Sequence, residues 1–305
     1  MKRSLKRRTF YRGGEAIKSW QCRISHVQDL FESQGLTHNS IILFQKLIHD
    51  YYKSNGRDLP WRKTSNSYHI LVSEIMLQQT QVDRVLKKYH EFIDTFPDFA
   101  SLAYASLRTI LQVWQGMGYN RRALSLKKIA QTVMKRFKGK LPSDTETLAT
   151  LPGIGRATAS AIAVFAYNKP TIFVETNIRT VFLYFFFKNR RCIKDTDILP
   201  LVEKTLDVSN PRVWYHALMD FGAMLKKRCP NINRRSAHYT KQGPFAGSDR
   251  QIRGMILRIL NENRCLSEAK IIKSISKEST RVKRILAQLR TEQFIRKKGK
   301  TYTIA

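Results

Sequence analysis

The stretch Leu151-Pro-Gly-Ile-Gly-Arg-Ala-Thr-Ala-Ser-Ala-Ile-Ala-Val-Phe-Ala-Tyr167 runs on into Phe173-Val-Glu-Thr-Asn-Ile-Arg179. Gly153 and Gly155 follow a proline and open a long apolar helix. A turn of this kind leaves backbone N–H groups unpaired at a helix N-terminus with no side chains in the way, a geometry suited to a phosphate oxygen. An ordinary tight turn has the same pattern, and both readings stand at this point. Eight residues after the helix comes a carboxylate, Glu175, followed by Asn177 and Arg179. A phosphate clamp followed by a carboxylate suggests a chain that grips a nucleic-acid backbone and does acid–base chemistry nearby.

The charge agrees. The 305 residues carry 55 Lys and Arg against 23 Asp and Glu, a net +32, while 42% are hydrophobic. Such a chain is globular, and its excess of positive charge implies a polyanionic partner. That charge is spread along the chain, which favours nucleic acid over a membrane surface, and no apolar run is long enough to span a bilayer. The basic N-terminus lacks the apolar core of a secretory signal; an Arg-rich transit peptide and an arm on DNA both fit it. The cysteines, Cys22, Cys192, Cys229 and Cys265, lie far apart in sequence, so they form no local metal knuckle and no disulfide framework. The expectation is a reduced, intracellular protein (cytoplasm or nucleoid).

Residues 1–37 read as a basic arm without a clear period, either tracking phosphates or forming a poorly ordered extension. Helical spacing begins after Asn39 and predicts helices over 40–52, 67–80, 82–95, 101–105, 107–115, 120–136 and 145–150, with only brief β-like runs such as 171–174. The polar stretch 231–247 reads as a linker. Beyond it, helices are expected over 249–261, 266–275 and 279–290, and residues 294–304 alternate around a Lys-Gly turn as a hairpin. Three helices and a basic hairpin give a winged-helix-like module over 248–305, read as DNA-binding, with a protein-docking module as the competing reading.

Five blocks occur together in order: Leu59-Pro-Trp-Arg62, Val72-Ser-Glu-Ile-Met-Leu-Gln-Gln-Thr-Gln-Val82, Trp114-Gln-Gly-Met-Gly-Tyr119, Leu151-Pro-Gly-Ile-Gly155 and Ala217-Leu-Met-Asp-Phe-Gly-Ala223. With them the segment from about 41 to 225 resembles the helix-hairpin-helix (HhH-GPD) DNA glycosylase superfamily, and within it the adenine-mismatch (MutY-type) branch. The resemblance implies an all-α, two-lobed helix-hairpin-helix glycosylase fold over 38–230, with the hairpin at about 144–166. It implies a monomeric enzyme of base excision repair acting on double-stranded DNA that holds a mismatch or damaged base.

Removing adenine requires a flipped base, protonation of its ring, and negative charge facing the developing sugar cation. By resemblance Glu74 is the general acid. Its apolar neighbours Val72, Ile75, Met76 and Leu77 would raise its pKa, although the residue alone would pass for a helix-surface carboxylate. Gln78, Gln79 and Tyr119 match residues that probe the duplex, and Arg62 lies in a block that packs beside the pocket. Gly153, Gly155, Arg156 and Thr158 match the phosphate-binding hairpin, in relatives often with a monovalent cation. Ala157 stands where strand-cutting relatives carry a Schiff-base lysine, so no AP-lyase activity is expected.

Three departures qualify the likeness. Glu175 aligns with the superfamily's catalytic aspartate, one methylene longer; it either serves in that role, supported by Asn177, or only caps a helix. The branch's four-cysteine iron–sulfur loop is absent, Cys229 standing alone, so no cluster is expected. A short basic module replaces the domain that reads 8-oxoguanine in many relatives. The resulting expectation is hydrolysis of adenine mispaired with guanine or 8-oxoguanine. Two alternatives stand beside it: removal of thymine or uracil opposite guanine, and a catalytically silent lesion-recognition protein.

Overall fold

The computed structural model describes residues 8–305, with side chains from Trp20 onward. In chain order its helices are α1 (Arg8–Gln34), α2 (His38–Asn55), α3 (Ser67–Leu77), α4 (Val82–Thr95), α5 (Phe99–Tyr104), α6 (Leu107–Val113), α7 (Arg121–Phe137), α8 (Thr145–Ala149), α9 (Arg156–Tyr167), α10 (Thr176–Phe186), α11 (Asp195–Thr205), α12 (Pro211–Arg228) and α13 (Asp249–Glu262). A short strand β1 (Leu266–Ser267) precedes α14 (Glu268–Ile275) and α15 (Ser279–Thr291), and strands β2 (Ile295–Lys298) and β3 (Thr301–Ile304) close the chain. The helices start where the sequence supplies caps. Thr37 and Ser40 form a capping box on α2, as do Asp98 and Ser101 on α5, while Asp144, Ser248 and Ser267 cap α8, α13 and α14.

The chain forms two compact units, each discontinuous in sequence. One comprises the described residues up to Asp58 together with Asn168–Thr240. Here α10 lies along α12, α12 packs on α2, and α1 covers α2 and α10. The core is aromatic: Phe31, Phe44, Phe182, Phe185, Trp214 and Phe221 meet largely edge to face. This corrects the reading of 1–37 as an arm. From Trp20 on, α1 is integral to the fold, with Ile24, Val27 and Phe31 buried, while the first seven residues lie outside those described. The expected linker at 231–247 is likewise half absorbed. Residues Ile232–Arg235 make a 3-10 turn with Ile232 buried, and Ser236 bridges Ile193. Residues 171–174 belong to no helix or strand of the described residues.

The other unit is Leu59–Tyr167 with Lys241–Ala305. Its central helix is α3, with Tyr68, Ile70, Leu71, Val72, Ser73, Ile75 and Met76 all buried. A helix apolar on nearly every side belongs inside a core, and α4, α7 and α9 surround this one. The C-terminal module runs helix–strand–helix–helix–strand–strand, its antiparallel sheet ordered β1-β3-β2 with Ile295 opposite Ile304. The hairpin is as expected, but the module is no separate lobe on a tether. Arg108 of α6 donates to the carbonyls of Leu260 (2.8 Å) and Asn261 (2.6 Å) at the end of α13, and Arg121 of α7 pairs with Glu292.

Candidate active site

The helix-to-helix turn at 150–155 joins α8 to α9. Gly153 adopts φ +80°, and a methyl there would come within 2.7 Å of the Ser125 hydroxyl, so both backbone angle and close packing demand glycine. Gly155 faces open space, and Gly155, Arg156 and Ala157 are exposed. The amides at the start of α9 are thus approachable. Gln78 is drawn to this turn: its Nε2 donates to the carbonyl of Gly153 and to Thr158 Oγ1, both at 3.3 Å.

Two further turns carry other candidate residues. Gln79 and Tyr119 both adopt left-handed backbone, at φ 56° and φ 47°. That conformation costs a non-glycine residue energy and persists only where surroundings impose it. Arg122 imposes it. This guanidinium is buried and donates to the carbonyls of Ile75 (3.1 Å), Met76 (2.6 Å) and Gln78 (2.5 Å) with one nitrogen. With another it donates to Thr80 Oγ1 (2.9 Å) and to the carbonyls of Met117 (3.3 Å) and Gly118 (3.1 Å). It also faces the rings of Trp114 and Tyr119, at 5.3 and 5.4 Å. Burial lowers its pKa to about 10, which leaves it charged at neutral pH. One side chain therefore closes the C-terminus of α3 and clips both turns together.

Glu74 sits in the last turns of α3, half-buried, with Ser73 and Ile75 buried on either side. Arg62 ends the turn Pro60–Arg62, whose Trp61 is buried edge-on against Tyr89 at 5.2 Å, a core role. Glu74, Gln78, Gln79, Tyr119, the hairpin residues and Arg62 all belong to this unit, whereas Glu175 and Asn177 belong to the other.

Glu175 is the N-cap of α10. Its Oε1 accepts from the amides of Asn177 (2.7 Å) and Ile178 (2.8 Å), and its Oε2 accepts from Asn177 Nδ2 (3.2 Å). The carboxylate therefore caps the helix, as one of the two sequence readings had it, and Asn177 also holds the oxygen that the cap leaves over. Burial pushes the Glu175 carboxyl above its usual range, against the two amides and the positive charges of Arg179 and Lys226. Arg179 is itself fixed by a bidentate pair with Asp195, at 2.7 Å on each side. Asp220 and Gly222, within the last sequence block, support this end of the unit. Asp220 is buried and accepts from Arg57 through its backbone N (2.7 Å) and Nε (2.6 Å), while Gly222 lies against Asn177.

No three His, Cys, Asp or Glu side chains gather to hold a metal ion among the described residues. After α12 the chain is tied to α10 by hydrogen bonds. Asn233 Nδ2 donates to Thr180 Oγ1 (2.9 Å), and Arg235 caps α10 through the carbonyls of Phe187 (3.0 Å) and Leu183 (3.3 Å).

Sequence reasoning missed Arg122. Its signal was present: Arg122, Leu126, Ile129, Ala130 and Val133 share one helical stripe, so a charge stands on the apolar face of α7. The coupling of Tyr119 to the later chain, where its hydroxyl meets Gln242 and Arg250, left no sequence signal.

An α8–turn–α9 pair with open amides in an otherwise helical fold defines a helix-hairpin-helix protein. Residues 72–201 match the HhH-GPD superfamily of base excision DNA repair proteins. An adenine DNA glycosylase of Mycolicibacterium smegmatis is 35% identical over 231 residues, covering 70% of this chain and 78% of the relative. One of Buchnera aphidicola subsp. Baizongia pistaciae is 34% identical over 192 residues, 61% of this chain, and the chain spans only 53% of that relative's length. Among solved structures, a thermostable thymine-DNA glycosylase superposes with a TM-score of 0.56 at 25% identity, over 65% of this chain and 96% of that one. A non-covalent endonuclease III–DNA complex gives 0.54 at 18% identity, over 66% and 96%, a likeness of fold. The chain belongs to the HhH-GPD superfamily.

Proposed function

We propose that the protein is a monofunctional DNA glycosylase that hydrolyses the N-glycosidic bond of adenine mispaired with guanine or 8-oxoguanine, acting as a monomer on intracellular double-stranded DNA. The observation that carries this reading is the 35% identity over 231 residues to an adenine DNA glycosylase. Glu74 donates a proton to the adenine ring, and the bond from C1′ to the base breaks with its electron pair leaving on adenine. Glu175, its Oε2 held by Asn177, meets the oxocarbenium charge at C1′ or bonds to it transiently; water then forms the new C1′–O bond, any Glu175–C1′ bond breaks to return the carboxylate, and the water proton passes to a carboxylate of the site. Gln78, Gln79 and Tyr119 hold the opened duplex, with Arg62 beside the pocket. Gly153, Gly155, Arg156 and Thr158 anchor a phosphate, with a monovalent cation as an optional aid. Ala157 offers no amine, so the reaction stops at the abasic site. No iron–sulfur cluster takes part, the support being the dispersed cysteines and the hydrogen-bonded turn after α12.

A panel of duplexes carrying A:G, A:8-oxoguanine, T:G and U:G tests this, with the native chain, Glu175→Gln and Glu175→Asp. Adenine release by the native chain, abolished in Glu175→Gln and without a borohydride-trapped adduct, is the expected result. Release of thymine but not adenine would favour the second reading, which the likeness to a thymine-DNA glycosylase supports. A native chain that cuts nothing, with activity appearing in Glu175→Asp, would make it a silent lesion-recognition protein. Iron and acid-labile sulfide assays on the purified protein are expected to find neither.

A further inference from the structure

We infer that the C-terminal module carries a second DNA-binding surface, formed by the outer face of α15 and the β2–β3 hairpin, which grips duplex phosphates without reading sequence. Helices α14 and α15 are joined by a short turn at 276–278, where Ser276 in left-handed backbone stops α14. That helix–turn–helix arrangement is the one that presents a second helix to a DNA groove. Helix α15 buries Val282, Ile285, Leu286 and Leu289 and leaves Thr280, Lys283, Arg284, Ala287, Gln288 and Arg290 exposed. In the hairpin only Ile295 of β2 is buried, while Arg296, Lys297 and Lys298 are exposed, followed by Gly299 at φ +56° and Lys300.

Helix and hairpin make one continuous surface. Lys297 pairs with Tyr302 across the ladder, its Nζ 5.6 Å from the ring, and the Tyr302 hydroxyl donates to Glu268 at 3.0 Å. Lys283 reaches the same carboxylate at 3.9 Å. Glu268 is thereby partly neutralised, and the cations around it dominate. Charge selects the occupant of this surface. The exposed large hydrophobic residues among those described are Ile42, Tyr104, Tyr119, Val208, Tyr239 and Phe245, and none lies in the module proper. A protein interface is built around buried aromatic or aliphatic anchors and a membrane surface takes an apolar face, so neither partner fits. Phosphate fits, since lysines serve as point charges.

On the helix face Arg284 and Arg281 are both spent on Asp249, each at 2.7 Å, and Ala287 is too short to reach a base edge, so these three positions read no sequence. The surface is also held in place relative to the probing turn of its own unit. Glu292, after α15, is clamped by Arg121 and Arg253, and Arg250 Nη1 lies 3.2 Å from the Tyr119 hydroxyl. The module therefore lengthens the stretch of duplex that the unit can hold.

The test is equilibrium binding of the full chain to undamaged duplexes of about one and about three helical turns (roughly 10 and 30 bp) across a salt series. Using undamaged DNA makes the outcome independent of whether adenine is excised. The native chain is expected to bind the longer duplex more tightly. The hairpin variant Lys297→Ala/Lys298→Ala/Lys300→Ala is expected to lose that gain, and its salt slope to fall by about two to three. Two unrelated sequences of equal length should be affected alike. A second variant, Lys283→Ala/Arg290→Ala, reports on the helix face should the first fold poorly; its slope should fall by about one to two. Unchanged slope and length dependence in a variant that melts like the native chain would overturn the inference, and so would a loss confined to one sequence.

Discussion

Gly222 of α12 lies so close to Asn177 that a methyl group added at residue 222 would stand 2.1 Å from the Asn177 carbonyl oxygen and 2.7 Å from its carbon. The contact is backbone against backbone, so no side chain can turn aside. Asn177 is the residue whose amide and side chain both hold Glu175. Gly222→Ala must therefore push the first turn of α10 away from α12 or part the two helices. Overpacking of this kind costs about 1–3 kcal/mol, measurable as a lower midpoint in urea. If the proposed role of Glu175 holds, a displacement approaching 1 Å should also lower single-turnover excision by on the order of 10²-fold.

Arg122 yields a prediction in the other unit. Its six acceptors include carbonyls at the end of α3, which have no partner within their own helix. Arg122→Met keeps the stem but strands these groups, and each buried unsatisfied acceptor costs about 1–3 kcal/mol. A total loss of roughly 3–5 kcal/mol is expected. Hydrogen exchange should show the loss locally, with protection falling at Gln79–Thr80 and Met117–Tyr119 before the rest of the unit. Arg122→Lys should rescue little, because a single ammonium cannot span both turns.

The contrast between these two sites shows what was legible. The start of α9 could be read from Leu151-Pro-Gly-Ile-Gly155, because a proline, two glycines and an apolar run each have local causes. The bounds of α4 and the final hairpin were read for the same reason. Helix α1 was not, since its buried positions Ile24, Val27 and Phe31 lie among charged residues and its partners, α2 and α10, are in part far along the chain. The discontinuous units were equally hidden: Arg57 meets Asp220 across 163 residues and Arg108 meets Leu260 across 152. For the candidate site, motif blocks supplied residue identities, while the left-handed turns at Gln79 and Tyr119 depend on one arginine that no motif named.

Glu175 links the candidate chemistry to stability. Its carboxyl is raised above the ordinary value near 4.5, chiefly by burial. A carboxyl raised on folding binds its proton more tightly in the native state, so its ionisation costs stability as pH climbs past the unfolded value, and the cost remains at neutral pH. Gln keeps an acceptor for the amides of Asn177 and Ile178 yet carries no charge. Glu175→Gln should therefore be at least as stable as the native chain at pH 7, with the difference vanishing below about pH 4. Thermal melts at the two pH values measure this. A variant inactive and equally or more stable would separate a missing charge from a damaged fold.

Glu292 behaves in the opposite sense. Arg121 first, and then Arg253, hold its carboxyl down at about 2, from an ordinary value near 4.5. The contribution of this pair of arginines is complete above the unfolded value and is lost as pH falls from about 4.5 toward 2. Because the carboxylate lies where α15 meets α7 and α13, its protonation loosens the module specifically. Glu292→Gln at pH 7 should cost about 2 kcal/mol, the scale of hydrogen bonds to a charged group, and should flatten the acid limb of the stability profile. Limited proteolysis through the acid range locates the effect: cleavage is expected to begin within 241–305 in the native chain near pH 3, and in Glu292→Gln already at neutral pH. Cleavage that begins elsewhere, or an unchanged acid limb, would show that this clamp does not hold the module.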